Sequence, residues 1–118
     1  MFEKLSESSG NVIGYKAVGK ITGADYEKLE PEVEELVKQE GNIRMLLDLE
    51  FDSVTAKAME SDLAFGHKFH KNIDKLAIVG DRKWEEWMAS MAEKLFAREA
   101  KHFHTADINA AWTWLRGN

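Results

Sequence analysis

Two short runs constrain this chain more than any other feature. Residues 43–49 read IRMLLDL and residues 76–79 read LAIV. Runs this short and this apolar fit strands covered on both faces. Helical periodicity fills the intervals around them. Buried strands that alternate with helices pair in parallel through right-handed crossovers.

The remaining elements follow from turn and capping signals. Phe2 to Leu5 and Asn11 to Gly19 flank the turn-rich Ser8-Ser9-Gly10-Asn11, which predicts a hairpin. Thr22 to Asp25 offers capping side chains ahead of Tyr26, Leu29, Val33, Leu36 and Val37 at helical spacing. Pro31 either opens that helix at its first turn or kinks one that began earlier. Gly41 stops it. Residues 54–70 form a second helix, with Met59, Leu63, Gly66 and His70 on one stripe. Ala58, Phe65 and Phe69 lie on another, about 100° away. Gly66 costs this helix about 1 kcal/mol relative to alanine, which points to close packing or a hinge. Residues 83–97 form a third helix and 98–103 an exposed strand. Thr105 then caps a last helix that carries Ile108, Ala111, Trp112 and Leu115 on one face. The order ββαβαβαβα predicts one α/β domain over residues 1–118. Its sheet is mixed and five-stranded, has one antiparallel edge strand, and is covered by four helices.

Charge and length narrow the function classes. At 118 residues one domain can bury roughly two-thirds of its unfolded surface. A net charge of −5 argues against a nucleic-acid partner, which needs clustered Lys and Arg. The chain has no cysteine, so disulfides and thiol chemistry are excluded. MFEKLSESSG holds no apolar run of signal-peptide type, and no stretch nears the roughly 20 apolar residues of a membrane span. The expectation is a cytoplasmic protein.

Several segments together resemble the SpoIIAA-like family, a bacterial branch related to the STAS domain. They are Gly19-Lys20-Ile21-Thr22 before Asp25-Tyr26, the strand LLDL at 46–49, and Asp81-Arg82 with Trp84. Phe103, followed by Ala110-Ala111-Trp112-Thr113-Trp114-Leu115, completes the set. The resemblance covers essentially the whole chain and implies the same fold. It also implies a shape similar to STAS domains and to CRAL-TRIO lipid-transfer domains. Membrane association and binding of an apolar ligand are the functions it suggests.

The stretch KWEEWMASMAEKLF, residues 83–96, bears on that suggestion. Trp84, Trp87, Met88, Met91 and Leu95 fall in one helical stripe roughly 100° wide, which is what packing on a sheet requires. Ala89, Ala92 and Phe96 widen the apolar arc to about 200°. Burying each Trp is worth at most about 4–6 kcal/mol, so these rings belong inside something. One reading makes them core. The other makes them contact surface for an apolar or lipid-like ligand, with Met59, Leu63 and Phe69 as the facing wall. Methionine adapts to irregular partners and Trp suits membrane interfaces, so peripheral membrane contact accompanies this second reading. A homodimer that covers the extra apolar surface is a further possibility.

Chemistry-bearing motifs are sparse. His67 and His70 are helix neighbours, and His102 and His104 share one side of a strand. Neither pair has cysteine or a carboxylate in a recognised ligand motif, so no metal is assigned. Asp48 and Glu50 bracket the end of the 43–49 strand, where α/β sites tend to lie, but without a nucleophile or base in the pattern. No catalytic residue and no cofactor is expected. Asp52-Ser53 precedes a helix, and STAS-class antagonists of anti-sigma factors carry a phosphorylatable serine at a comparable site. Here Val54-Thr55 follows instead of small residues. Ser53 is therefore either a helix N-cap or the control point of a partner-switching regulator.

Overall fold

The computed structural model describes residues 1–83, 88 and 92–117. β1 (Phe2–Lys4) and β2 (Val12–Ile21) form the hairpin. α1 (Gly23–Glu40), β3 (Ile43–Val54), α2 (Ala56–Phe69) and β4 (Ile73–Val79) follow. Residues 92–95 are helical (α3). β5 (Glu99–Phe103), a 3₁₀ turn (Thr105–Asp107) and α4 (Ile108–Arg116) end the chain.

The sheet order is β1-β2-β3-β4-β5. β1 runs antiparallel to β2, with Phe2 opposite Ala17, and every other pair is parallel. Each crossover therefore advances in one direction. With right-handed crossovers, that places α1, α2 and α3 on one face of the sheet. α4, which follows the last strand, packs on the other. The core divides accordingly. Ile13, Tyr15, Ala17, Met45, Leu49, Leu76 and Ile78 cluster with Leu29, Val33, Phe65 and Phe69. Val12, Leu46, Ala77 and Val79 cluster with Ala111, Trp112 and Leu115.

Two bulges keep this division intact. Gly19 pairs with Phe51 but Lys20 pairs with Ser53, which leaves Asp52 as an extra residue in β3. Met45, Leu47, Leu49 and Phe51 alternate onto the helix-rich face, and after the bulge Val54, not Ser53, joins them. Gly19 takes φ of 65° here, a conformation glycine adopts at no steric cost. Likewise Ile43 pairs with Ile73 and Arg44 with Lys75, so Asp74 is extra in β4. β3 thus extends through Val54, five residues past the predicted end. Asp48 and Glu50 lie within the strand and not at its end.

The helix signals divide into those that hold and those that shift. Thr22 and Asp25 form a reciprocal capping box: the Thr22 N–H donates to Asp25 Oδ2 at 2.7 Å, and the Asp25 N–H donates to Thr22 Oγ1. The helix begins there, so Pro31 lies inside it. Thr55 caps α2, accepting from the Ala58 N–H at 3.0 Å. Ser53 is exposed on β3 and is not an N-cap. Thr105 opens the 3₁₀ turn and does not cap α4, and Asp81 Oδ1 accepts its N–H at 2.8 Å.

α4 is fastened at its C-terminal end. Lys75 Nζ donates to the Trp114 carbonyl at 3.0 Å, and Arg44 donates to the carbonyls of Leu115 and Gly117. Two cations from neighbouring strands thus meet the negative end of the helix and satisfy carbonyls that lack helical partners. On α2, a Cβ at Gly66 would stand 2.3 Å from the Phe96 ring and 2.8 Å from the Leu95 carbonyl. Gly66 is therefore a close-approach residue between α2 and the C-terminal end of α3.

Candidate ligand cavity

The helix-rich face is incompletely filled. Between the sheet and α1, α2 and α3 lies a cavity of about 660 Å³, within the range of small-molecule sites. Ala17, Met45, Leu47, Leu49, Leu76 and Ile78 line its sheet side. Leu29 of α1, Phe65 of α2, Met88 and Ala92 close it on the helix side.

Its rim reaches solvent. Met59 is 61% exposed, Leu63 58% and Leu95 42%, and all three border the cavity. Met59 and Leu63 are four apart on α2, so they share one ridge. Large apolar side chains this exposed cluster where the cavity opens. That is the composition of an entry port, or of a surface that meets something apolar.

The predicted wall is partly in place. Met59, Leu63 and Met88 border the cavity. Phe69 does not: it is buried against Phe65, with ring centroids 4.8 Å apart, and Phe65 occupies the wall position. Trp84, Trp87 and Met91 lie outside the described residues.

Among the described residues one polar pair interrupts the lining, and sequence reasoning missed it. Tyr26 of α1 donates its hydroxyl to Asp62 Oδ1 of α2 at 2.7 Å, and both residues border the cavity. Tyr26 stacks edge-on against Phe2 and Phe65, at 5.1 and 6.3 Å between centroids, which fixes the ring. Burial pushes the Asp62 carboxyl above the usual carboxylate range, against the opposing pull of the Tyr26 hydrogen bond. Burial and the adjacent Asp62 push the Tyr26 phenol far above its ordinary value. The signal available in the sequence was position: Asp62 lies three residues from Met59 and from Phe65, inside the apolar stripe of a helix.

Linkage fixes the sign of a pH effect. An acid whose pKa is raised on folding contributes stability that is present below its unfolded value, near 3.9. That stability is lost as pH rises through the folded value. Asp62→Asn is therefore expected to be more stable than the parent at pH 7, by about 1 kcal/mol, the scale of an imperfectly satisfied buried polar group. The difference should shrink towards pH 4. Urea unfolding of both proteins at pH 4 and pH 7 checks this, and a parent whose advantage grows with pH contradicts it.

Three of the four histidines have local partners. A ring nitrogen of His70 lies 3.2 Å from the Glu93 carbonyl, and one of His102 lies 2.7 Å from the Gly80 carbonyl. His104 Nδ1 is 3.6 Å from Asp81. Among the described residues no group of three His, Cys, Asp or Glu is arranged to hold a metal ion. No helix among them is long and apolar enough to cross a membrane.

Comparison with known proteins follows the same architecture. The sequence pattern of the SpoIIAA-like family matches residues 12–116. A crystal structure of an uncharacterised protein from Shewanella loihica with a SpoIIAA-like fold superimposes with a TM-score of 0.80 at 30% identity. The match covers 98% of this chain and 92% of that one. No curated protein matches the chain.

Proposed function

The chain belongs to the SpoIIAA-like family, and on that premise we propose that it is a non-enzymatic module that binds an apolar or lipid-like ligand. The observation that carries this reading is the cavity of about 660 Å³, whose lining among the described residues is apolar apart from Tyr26 and Asp62. A protein interior is normally packed to crystal density, and empty apolar space forfeits contact energy on every side. An apolar occupant restores those contacts. The exposed Met59, Leu63 and Leu95 at the rim supply a route in and a surface for brief contact with a membrane, from which such a ligand would be drawn.

Partner switching through Ser53 has less behind it. That hydroxyl lies on a strand, two residues before the cap of α2, and a phosphate there would not take the N-cap position.

Extraction of the purified protein with organic solvent, followed by mass spectrometry, tests the ligand reading. The expected result is an amphiphile at about one per chain, or saturable binding of N-phenyl-1-naphthylamine when the extract is clean. No extracted amphiphile and no saturation of that probe up to about 100 μM would remove the proposal.

A further inference from the structure

Among the described residues the cavity carries one carboxyl group in its apolar lining, and that group is placed to select a head group. Asp62 projects from α2 between the rim residues Met59 and Leu63 and the interior residue Phe65. Tyr26 is its one hydrogen-bond partner among the described residues and engages Oδ1. Oδ2 has no hydrogen-bond partner among the described residues, and Asp62 borders the cavity beside the exposed Met59 and Leu63. A chain entering tail first would leave its head at this level.

We propose that Tyr26 and Asp62 form a head-group subsite for an uncharged, hydroxyl-bearing amphiphile of the long-chain-alcohol class. This rests on the ligand-binding reading above and names the class of ligand.

The chemistry discriminates between heads. A hydroxyl both donates and accepts, so it pairs with the Asp62 carboxylate or with the carboxylic acid. A carboxylate or phosphate head would bring a second negative charge beside the first, in a setting of low dielectric. Two such groups cannot both stay ionised there at ordinary cost. The raised proton affinity of Asp62 reflects the same desolvation. Among the described residues no Lys or Arg lines the cavity to offset an anionic head. Among the described residues the groups that set the local charge are Tyr26 and Asp62, with Asp25 of α1 acting on Tyr26 from one residue away. A headless hydrocarbon would leave Oδ2 without a partner on closing the site, a loss the hydroxyl avoids.

Competition against N-phenyl-1-naphthylamine with 1-dodecanol and with dodecanoate, which share one chain length, tests the subsite at pH 7.5. The parent is expected to prefer the alcohol by about 10-fold or more. Asp62→Asn should bring the two within about 3-fold by admitting the carboxylate, and Tyr26→Phe should weaken the alcohol selectively. Equal or tighter binding of dodecanoate by the parent overturns the subsite. So does an unchanged preference in a folded Asp62→Asn variant. Probe binding without head-group preference removes the subsite and leaves the apolar cavity standing. Failure of the probe and both ligands removes both.

Discussion

Gly14→Ala is expected to destabilise the protein by about 3 kcal/mol, at the upper end of what overpacking costs. Gly14 lies in β2 on the face that α4 covers. A Cβ added there would stand 2.3 Å from Trp112 Cη2 and 2.9 Å from Cζ2, with Leu5 Cδ1 at 3.4 Å behind it. Real Cβ atoms do not approach ring carbons that closely, so the ring must move. Trp112 is almost fully buried, and its helix is fastened at the far end by Lys75 and Arg44, so it has little room to do so. Its indole N–H has no hydrogen-bond partner among the described residues, so packing and the Arg116 guanidinium, 5.3 Å from the ring centroid, seat the ring. The same reasoning specifies a suppressor. In a Trp112→Leu background, itself destabilised, the further cost of Gly14→Ala should fall below about 1 kcal/mol, because the colliding ring is gone. Urea unfolding of the four proteins of this cycle measures the coupling. A Gly14→Ala cost that is the same in both backgrounds would mean that Trp112 does not lie on Gly14.

The second large effect concerns the opposite face. Ala17→Leu combined with Leu47→Phe is expected to lower affinity for N-phenyl-1-naphthylamine by about 100-fold or more while leaving the fold intact. Both positions belong to the sheet side of the cavity, and Tyr15, two residues from Ala17, pairs with Leu47 in register. Both side chains border the cavity, so the added methylenes and ring would take up its free space and restore contacts it lacks. Thermal stability should hold or rise. Loss of binding with stability retained separates occlusion from unfolding. Undiminished binding would place the ligand somewhere other than this cavity.

The two faces differ in how readily the sequence disclosed them. The strands were legible because IRMLLDL and LAIV admit few other structures, and the last helix was legible because Ala111, Trp112 and Leu115 recur at helical spacing. The bulges were not. A two-residue alternation gives no warning of one extra residue, and Asp52-Ser53 has the composition of a turn. β3 was consequently predicted too short, Asp48 and Glu50 were placed at its end, and Ser53 was offered as a cap. The cavity was half legible. An over-wide apolar arc in the third helical stretch and the Met59 and Leu63 ridge pointed to this face, and Met88, Met59 and Leu63 border the space. Phe69 and Phe65 could not be separated by spacing, since both lie on the buried side of α2 and only their packing against the sheet and each other distinguishes wall from core. The Tyr26–Asp62 contact joins residues 36 apart in sequence, and periodicity within one helix cannot reveal a partner on another.

The extra residue at Asp52 behaves as a frameshift in a two-beat rhythm. Before it, odd-numbered residues of β3 belong to the cavity side; after it, the even-numbered Val54 does. Any relative whose sequence is laid against this one without that single-residue offset would have its inward and outward positions exchanged over the last residues of the strand. Its serine or threonine there would be mistaken for wall, and its apolar residue for surface.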